Sequence, residues 1–197
     1  LIPSFAIERT QELLYEINLF VENKLLTGLP VYLDSPMASK ATEIFRQYPN
    51  FYDEDAKRLL KKGDDPFDFP GLQKIDSVEE SKRLAGKKGV AIIAGSGMCT
   101  GGRILHHLKA FAGDPKNTIL LAGFQAAGTR GRQIQDGAKE VKFHGQMLPI
   151  NAKVVVMENV SAHADYVEIL KWLEMSAQRP RKVFITHGEV ESAFKMK

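Results

Sequence analysis

The sequence predicts an α/β protein with a largely parallel central sheet flanked by helices. Two continuous apolar runs, 89–94 and 117–122, are typical of strands buried on both faces. Each run ends in a glycine-rich turn that leads toward a helix. Helical and strand patterns also alternate elsewhere in the chain, and this order is typical of parallel sheets because parallel strands need long, usually helical, crossovers.

The first half of the chain contains six further elements that the residue pattern predicts. Ser35 followed by Pro36 favours a helix start, because serine caps helix N-termini and proline fits the first helical turn. The breaker-rich segment 61–72 is interpreted as a lid or surface insertion. In order, the predicted elements are a strand ending at 1–6, a helix at 8–24, a strand at 30–34 and helices at 36–48, 53–62 and 77–84.

The second half predicts a β-rich connection followed by two short α/β pieces. Segments 141–144 and 146–150, split by Gly145, indicate a hairpin, and 153–158 indicates a further strand. Asp165 and Glu168 have capping-box spacing before a helix at 166–175. The last predicted elements are a strand at 184–186 and a helix that begins near 191. Because a strand ends at the first residues and a helix begins at the last, we expect the chain to be a piece of a longer protein.

Composition sets mild limits on function. The chain has 197 residues, of which 44% are hydrophobic and 26% charged, which is typical of a globular protein. A formal charge of +3 is compatible with a polyanionic partner but does not require one. A single cysteine, Cys99, excludes an intrachain disulfide framework and fits a reducing compartment. No apolar run reaches the roughly 20 residues that a membrane span needs, so we expect a cytoplasmic protein without membrane contact.

The turns after the two apolar strands are candidate phosphate sites. We call 95–103 the first glycine-rich loop and 123–132 the second. Glycines allow close backbone approach, helix N-termini favour anions, and guanidinium groups suit phosphate oxygens. Neither loop has Walker or dinucleotide-fingerprint spacing, and each taken alone is equally compatible with a simple tight turn and solvated arginines. Two such loops together favour binding.

Two histidines close to the C-terminus indicate a hydrolytic centre. His163 lies in Ser-Ala-His-Ala-Asp and His187 in Thr-His-Gly-Glu, each where an apolar segment runs out. Neutral imidazole is a common metal ligand and a proton carrier near neutral pH. His106, His107 and His144 are interpreted as structural, since the adjacent pair faces different directions on a helix and His144 adjoins a turn.

The ordered motifs resemble the β-CASP group of metallo-β-lactamase-fold nucleases over nearly the whole chain. They are Leu-Ile-Pro-Ser-Phe-Ala with Gln-Glu-Leu-Leu, Ser-Gly-Met, Gly-Phe-Gln-Ala-Ala-Gly-Thr, Ser-Ala-His and His-Gly-Glu. The resemblance implies a three-layer β-CASP domain over 1–159 and a returning piece of the αββα metallo-β-lactamase domain over 160–197. It also implies a zinc-dependent, RNA-processing ribonuclease with two zinc ions in each active site, and RNA as the partner. A homo-oligomer is compatible with the sequence.

The resemblance also implies roles for single residues. His163 matches the histidine thought to protonate the leaving oxygen, and His187 matches a zinc ligand that goes with RNA-processing members. The glycine-rich loops would line the nucleic-acid cleft between the domains. The substrate-binding candidates are Ser96, Gly97, Met98, Gly128, Thr129 and Arg132, of which Ser96, Thr129 and Arg132 are the candidate phosphate contacts by their chemistry.

One departure from the family pattern limits the expected activity. The family's His-x-His-x-Asp-His motif, its later ligands and its acidic residue precede the segment that begins at Leu1, and this sequence contains no His-x-His. Asp34 is therefore interpreted as a helix cap or cleft residue. Because one histidine does not hold a dinuclear zinc centre, we expect this chain alone to be inactive.

Two other functions stay open on the sequence. The chain could be a non-catalytic RNA- or nucleotide-binding module that uses the same loops, or a structural α/β domain that serves assembly. Salt-dependent RNA association separates the binding functions from the structural one, because neutralising phosphates releases counterions.

Overall fold

The structure is a computed structural model that describes residues 1–157, 164–186 and 188–196. The chain divides into two compact units, Leu1–Asn159 and Val160–Lys197. None of the described helices is long and apolar enough to cross a membrane.

The first unit alternates strands and helices, as the sequence predicts. Two short 3-10 turns also occur, at Pro49–Phe51 and Leu84–Gly86. The strands are β1 (Ile2–Pro3), β2 (Val31–Asp34), β3 (Leu72–Lys74), β4 (Ala91–Ala94), β5 (Thr118–Leu121), β6 (Glu140–Phe143), β7 (Gln146–Pro149) and β8 (Lys153–Val156). The helices are α1 (Arg9–Glu22), α2 (Pro36–Gln47), α3 (Glu54–Lys61), α4 (Val78–Arg83), α5 (Ile104–Phe111) and α6 (Arg130–Gln135).

The central sheet is parallel. Four strands pair in the order β1-β4-β2-β3, and β5 pairs with β8 in the same parallel sense. The amine of Leu1 donates to the Thr118 carbonyl at 2.6 Å, and the Leu120 amide donates to the Leu1 carbonyl at 2.8 Å. These two bonds have the spacing of a parallel pair and place β5 beside β1, so the strand order across the sheet becomes β8-β5-β1-β4-β2-β3.

Helices cover both faces of this sheet, which makes three layers. Neighbouring strand residues point to opposite faces: Tyr32 and Ile92 pack with α5, whereas Leu33 and Ile93 pack with α1 and α2. The central strand β4 is buried at Ile92, Ile93 and Ala94, as expected for a strand enclosed on both sides. The α/β prediction with a parallel central sheet is confirmed.

Local signals also fix several element boundaries. Ser35 accepts a hydrogen bond from the Ala38 amide with Pro36 at the first helical position, and Asp53 caps α3. The predicted hairpin forms between β6 and β7. Because each of these boundaries depends on residues within a few positions, the sequence was sufficient to predict them.

The interpretation of 61–72 as a lid or surface insertion is wrong. Phe67 is 6% exposed and Phe69 is 5% exposed, and both belong to the core. The Phe67 ring packs edge-on against Phe45 and Tyr52, with ring centroids 6.1 and 5.7 Å away. The segment is polar in its first half, but its aromatic half is buried, so it is anchored to the domain.

The second unit contains α7 (Tyr166–Glu174) and α8 (Val190–Lys195). Asp165 and Glu168 form the predicted capping box at the start of α7. The predicted strand at 184–186 is wrong: these three residues form no strand, and Phe184 is 80% exposed. A strand requires a partner for its backbone groups, and residues 182–186 pair with no other strand among the described residues.

Candidate functional site

A pocket of about 350 Å³ opens at the carboxyl ends of three adjacent parallel strands. Ser4 follows β1, Asp34 ends β2 and Gly95 follows β4. In open parallel sheets, ligands bind outside the carboxyl ends of the strands, where the loops can shape a cleft. The lining residues are Ser4, Phe5, Ala6, Asp34, Ser35, Pro36, Met37, Gly95, Ser96, Gly102 and Arg103.

The first glycine-rich loop borders this pocket and is closed by its own hydrogen bonds. The Ser96 hydroxyl oxygen accepts from the amides of Thr100 and Gly101, at 3.0 and 3.2 Å. The Ile104 amide donates to the Gly95 carbonyl at 3.0 Å, which joins the two ends of the loop. The loop is therefore a compact turn between β4 and α5.

Two glycines in this loop have no room for a side chain. A Cβ at Gly102 would lie 2.3 Å from the Gly95 carbonyl oxygen, and Gly102 has φ of 73°. A Cβ at Gly97 would lie 2.7 Å from the Phe5 ring. Close backbone approach, together with positive φ at Gly102, explains why glycine occupies both positions.

The second glycine-rich loop is bonded directly to the first. The Gly131 amide donates to the Met98 carbonyl at 3.0 Å, and Arg130 Nη1 donates to the Thr100 carbonyl at 3.2 Å. The buried amide of Gln125 donates to the Gly97 carbonyl at 3.0 Å and to the Gly123 carbonyl at 2.9 Å. The two loops form one hydrogen-bonded structure at the carboxyl edge of the sheet.

The predicted phosphate contacts all lie in this paired structure, and each already has a structural contact. Ser96 shapes the first loop as described above. Thr129 caps α6 by accepting from the Arg132 amide at 3.2 Å and donates to the Ala126 carbonyl at 2.7 Å. Arg132 Nε donates to both oxygens of Asp136, at 2.9 and 3.0 Å. Their role in phosphate binding stays a prediction.

The other predicted substrate contacts are backbone positions in the same two loops. Met98 offers its carbonyl to the second loop. Gly128 has φ of 82° and open space where a Cβ would be, so its backbone conformation alone favours glycine. Met98, Gly97 and Gly128 thus shape the loops, and direct contact with a substrate stays a prediction.

Sequence analysis missed the polar cluster around Asp34. This carboxylate is 0% exposed. Its Oδ1 accepts from Arg103 Nη1 at 2.6 Å, and its Oδ2 accepts from the Ser81 hydroxyl at 2.5 Å. His107 Nε2 lies 2.6 Å from Oδ2, and it donates because an ionised carboxylate only accepts. The helix-cap interpretation is wrong, since Ser35 caps α2, whereas the cleft interpretation fits a residue that lines the pocket.

These contacts decide the protonation state of Asp34. Burial alone raises the pKa of the carboxyl, but the hydrogen bonds from His107, Ser81 and Arg103 outweigh burial and lower the pKa below its ordinary value. Asp34 is therefore ionised near neutral pH. A charged residue at the end of an otherwise apolar buried strand was the available sequence signal, because buried charges need partners.

The three histidines of the first unit make structural contacts, and the adjacent pair His106 and His107 faces different directions, as the sequence predicts. His107 is 2% exposed and belongs to the Asp34 cluster. The neighbouring His106 ring stacks on His144 with centroids 5.0 Å apart. The adjacent pair therefore faces different directions, and both residues have a structural explanation.

The predicted hydrolytic centre cannot be built from the described residues. His163 and His187 lie outside the residues that the structure describes. Across 1–157, 164–186 and 188–196, no three His, Cys, Asp or Glu side chains come together as a metal site. Cys99 is fully buried, and burial raises the pKa of its thiol to about 12, so the free thiol stays protonated near neutral pH. The described side chains therefore do not fit a zinc centre by themselves.

Comparison with known protein families decides the family. The model of the Beta-Casp domain matches residues 10–134, which include both glycine-rich loops. The chain belongs to the β-CASP family of metallo-β-lactamase-fold nucleases. The model of the Zn-dependent metallo-hydrolase RNA specificity domain matches residues 147–197, which include His163 and His187.

Several known proteins are similar to nearly the whole chain. Ribonuclease TTHA0252 of Thermus thermophilus is 38% identical over 97% of this chain and 43% of its own length. Transcription termination factor FttA of Methanosarcina mazei is 36% identical over 95% of this chain and 30% of its own. An RNase J-like protein of Methanocaldococcus jannaschii is 35% identical over 96% of this chain and 42% of its own. The chain thus spans less than half the length of these relatives.

Proposed function

We propose that this chain is the RNA-binding part of a zinc-dependent RNA-processing ribonuclease that hydrolyses phosphodiester bonds. The observation that carries the proposal is the pair of glycine-rich loops, which are bonded into one structure beside a pocket at the carboxyl edge of a parallel sheet. Membership of the β-CASP family and similarity to a protein named as a ribonuclease support it. A cytoplasmic location and a homo-oligomer stay predictions.

The chemistry of the paired loops suits an RNA backbone. Arg132 carries a planar array of donors that matches phosphate oxygens, and its side chain is 34% exposed. Ser96 lines the pocket, and Thr129 lies at the start of the helix that carries Arg132. We assign the strongest phosphate contact to Arg132, because its guanidinium carries a positive charge that the hydroxyl groups of Ser96 and Thr129 lack.

The catalytic assignments come from the family motifs. We propose that His163 protonates the oxygen that leaves when the phosphodiester bond breaks, since imidazole exchanges protons near neutral pH. We propose that His187 ligates one of two zinc ions. This sequence contains no His-x-His-x-Asp-His motif, and one histidine does not hold a dinuclear zinc centre, so we propose that the chain by itself does not hydrolyse RNA.

Fluorescence anisotropy with a labelled single-stranded RNA tests the binding half of this proposal. We expect salt-sensitive association, with log K falling against log salt by about 0.7 for each phosphate neutralised. Arg132→Gln is expected to reduce that slope by about 0.7 because it removes one phosphate contact. Arg58→Gln is the matched control, since Arg58 lies on α3 and is paired with Asp55. Absence of binding at low salt, or equal effects of both variants, would overturn the proposal.

Cleavage assays test the catalytic half. With RNA and added zinc, we expect the 197-residue chain and its His163→Ala variant to give the same background of cleaved product. Zinc-dependent cleavage by the unmodified chain above that of His163→Ala would show that the chain is active alone. A longer form of the protein that contains the family's metal-binding motif is expected to cleave RNA and to lose that activity with His163→Ala.

A further inference from the structure

The buried charge of Asp34 is the feature of the first unit that the proposed function does not use. A carboxylate that is fully removed from water is costly unless other groups pair with it and donate hydrogen bonds. Asp34 has such groups on both oxygens, and they come from different parts of the chain.

The contacts divide between the two oxygens. Oδ2 accepts from Ser81 on α4 and from His107 on α5, and these two donors join two helices to the end of β2. Oδ1 accepts from the Arg103 guanidinium, whose side chain is 20% exposed. The same guanidinium donates to the carbonyls of Ile75 and Asp76, at 3.1 and 2.8 Å. Arg103 is thus held in one orientation by three acceptors.

Arg103 is also the last residue of the first glycine-rich loop. It directly precedes α5, and it follows Gly102, where the backbone has φ of 73° and lies against Gly95. The next amide, that of Ile104, closes the loop by donating to the Gly95 carbonyl. Fixing the Arg103 side chain therefore fixes the point at which the loop leaves the pocket and enters the helix.

We propose that Asp34 is a positioning residue for the first glycine-rich loop, acting through Arg103. Its carboxylate orients the guanidinium, and the guanidinium holds the exit of the loop against the ends of β2 and β3. The consequence for RNA binding rests on the proposed function. The consequence for the order of the loop does not.

Two neutral substitutions isolate this contact. Asp34→Asn keeps the size of the side chain and a hydrogen-bond acceptor, but it removes the charge that orients Arg103. Arg103→Gln removes the guanidinium from the other side of the pair. If Asp34 acts through Arg103, the double variant behaves like either single variant, because the second substitution removes a contact that is already lost.

Amide hydrogen exchange reports loop order without RNA. In Asp34→Asn and Arg103→Gln, we expect the amides of Thr100, Gly101 and Ile104 to exchange about tenfold faster than in the unmodified chain. Asn18→Ala is the matched control, because it removes a buried polar side chain on α1 whose hydrogen bonds go to Asp64 and Asp65. It is expected to lower global stability but to leave these loop amides unchanged. Arg103→Lys retains the positive charge but loses the second NH2 group of the guanidinium. We therefore expect its loop amides to exchange at rates between those of the unmodified chain and those of Arg103→Gln.

RNA binding supplies the second measurement. We expect the Kd of the labelled RNA to rise about three- to tenfold in Asp34→Asn and to be unchanged in Asn18→Ala. If the unmodified chain binds no RNA, the proposed function fails and hydrogen exchange alone decides the role of Asp34. If the chain binds RNA but the loop amides of Asp34→Asn exchange at the unmodified rate, or the two substitutions act additively, the positioning role is wrong.

Discussion

The two glycine-rich loops have a similar sequence pattern but are held by different interactions. The first loop ends at an ion pair between Asp34 and Arg103, whose side chains are 0% and 20% exposed. The second loop is stabilised by hydrogen bonds from the neutral amide of Gln125 and from the hydroxyl of Thr129. Its ion pair, between Arg132 and Asp136, is more exposed. A glycine-rich turn after a strand therefore predicts a loop, but it does not predict which kind of interaction holds the loop.

The largest expected effect comes from breaking the buried pair. Arg103→Met should lower the free energy of unfolding by about 3–5 kcal/mol, because it leaves the Asp34 charge buried without its cationic partner. Asp136→Asn, which breaks the exposed pair of the second loop, should cost about 0–1 kcal/mol. Denaturant unfolding measures both. If both substitutions lower the free energy of unfolding equally, burial does not make the Asp34–Arg103 pair more important for stability than the exposed pair.

Adding a methyl group to each loop should give the next largest difference. Gly102→Ala should destabilise the chain by about 2–4 kcal/mol, because the new Cβ meets the Gly95 carbonyl at a positive φ. Gly128→Ala should cost about 1 kcal/mol, since its strain is limited to the backbone conformation. Unfolding curves of the two variants test this order. The order is wrong if Gly128→Ala costs as much as Gly102→Ala.

The amide that joins the loops should have an intermediate effect. Gln125→Leu leaves the carbonyls of Gly97 and Gly123 without their side-chain donor and should cost about 1–3 kcal/mol. Gln125→Glu keeps the shape but presents an acceptor to both carbonyls, so it should cost at least as much. Thermal unfolding of the two variants is the measurement, and a Glu variant as stable as the native chain would contradict the assigned donor role.

A smaller effect is expected from the cap of the second loop. Thr129→Ala removes the acceptor for the Arg132 amide and should cost about 1 kcal/mol. Thr129→Ser keeps the hydroxyl and should recover most of that loss. Denaturant unfolding measures the stability of both variants. If the methyl group of Thr129, and not its hydroxyl, were responsible, Thr129→Ser would be as destabilised as Thr129→Ala.

The contribution of Asp34 to stability should be constant near neutral pH and should change with pH only in acid. The pKa of Asp34 is lowered in the folded state, so its contribution is fully present above the ordinary aspartate pKa and is lost as pH falls through the folded value. The stability difference between the unmodified chain and Asp34→Asn should therefore be constant above about pH 5 and narrow below about pH 4. Denaturant unfolding across that range measures it, with Asp136→Asn as the exposed-pair control. A difference that widens toward acid would mean that the pKa is raised.

The predictions from sequence succeeded where the signal is local. Ser35 with Pro36, and Asp165 with Glu168, start helices through contacts within four residues. The strand at 184–186 was wrong because an apolar run does not reveal whether a partner strand exists. The segment with Phe67 and Phe69 was misread because its polar half resembles a surface loop and its aromatic half packs against residues distant in the chain.

By itself, the sequence determined the α/β class, the family, most element boundaries and the position of both glycine-rich loops. The class, the boundaries and the loops follow from side-chain periodicity, capping residues and glycine positions, all of which act over short stretches of chain, whereas the family follows from the resemblance of the ordered motifs. Only the tertiary structure decided that Asp34 pairs with Arg103, 69 residues away, and that Gln125 joins the two loops. A charged residue in a buried strand predicts that a partner exists, but only the arrangement of the strands and helices determines which residue comes within hydrogen-bond distance.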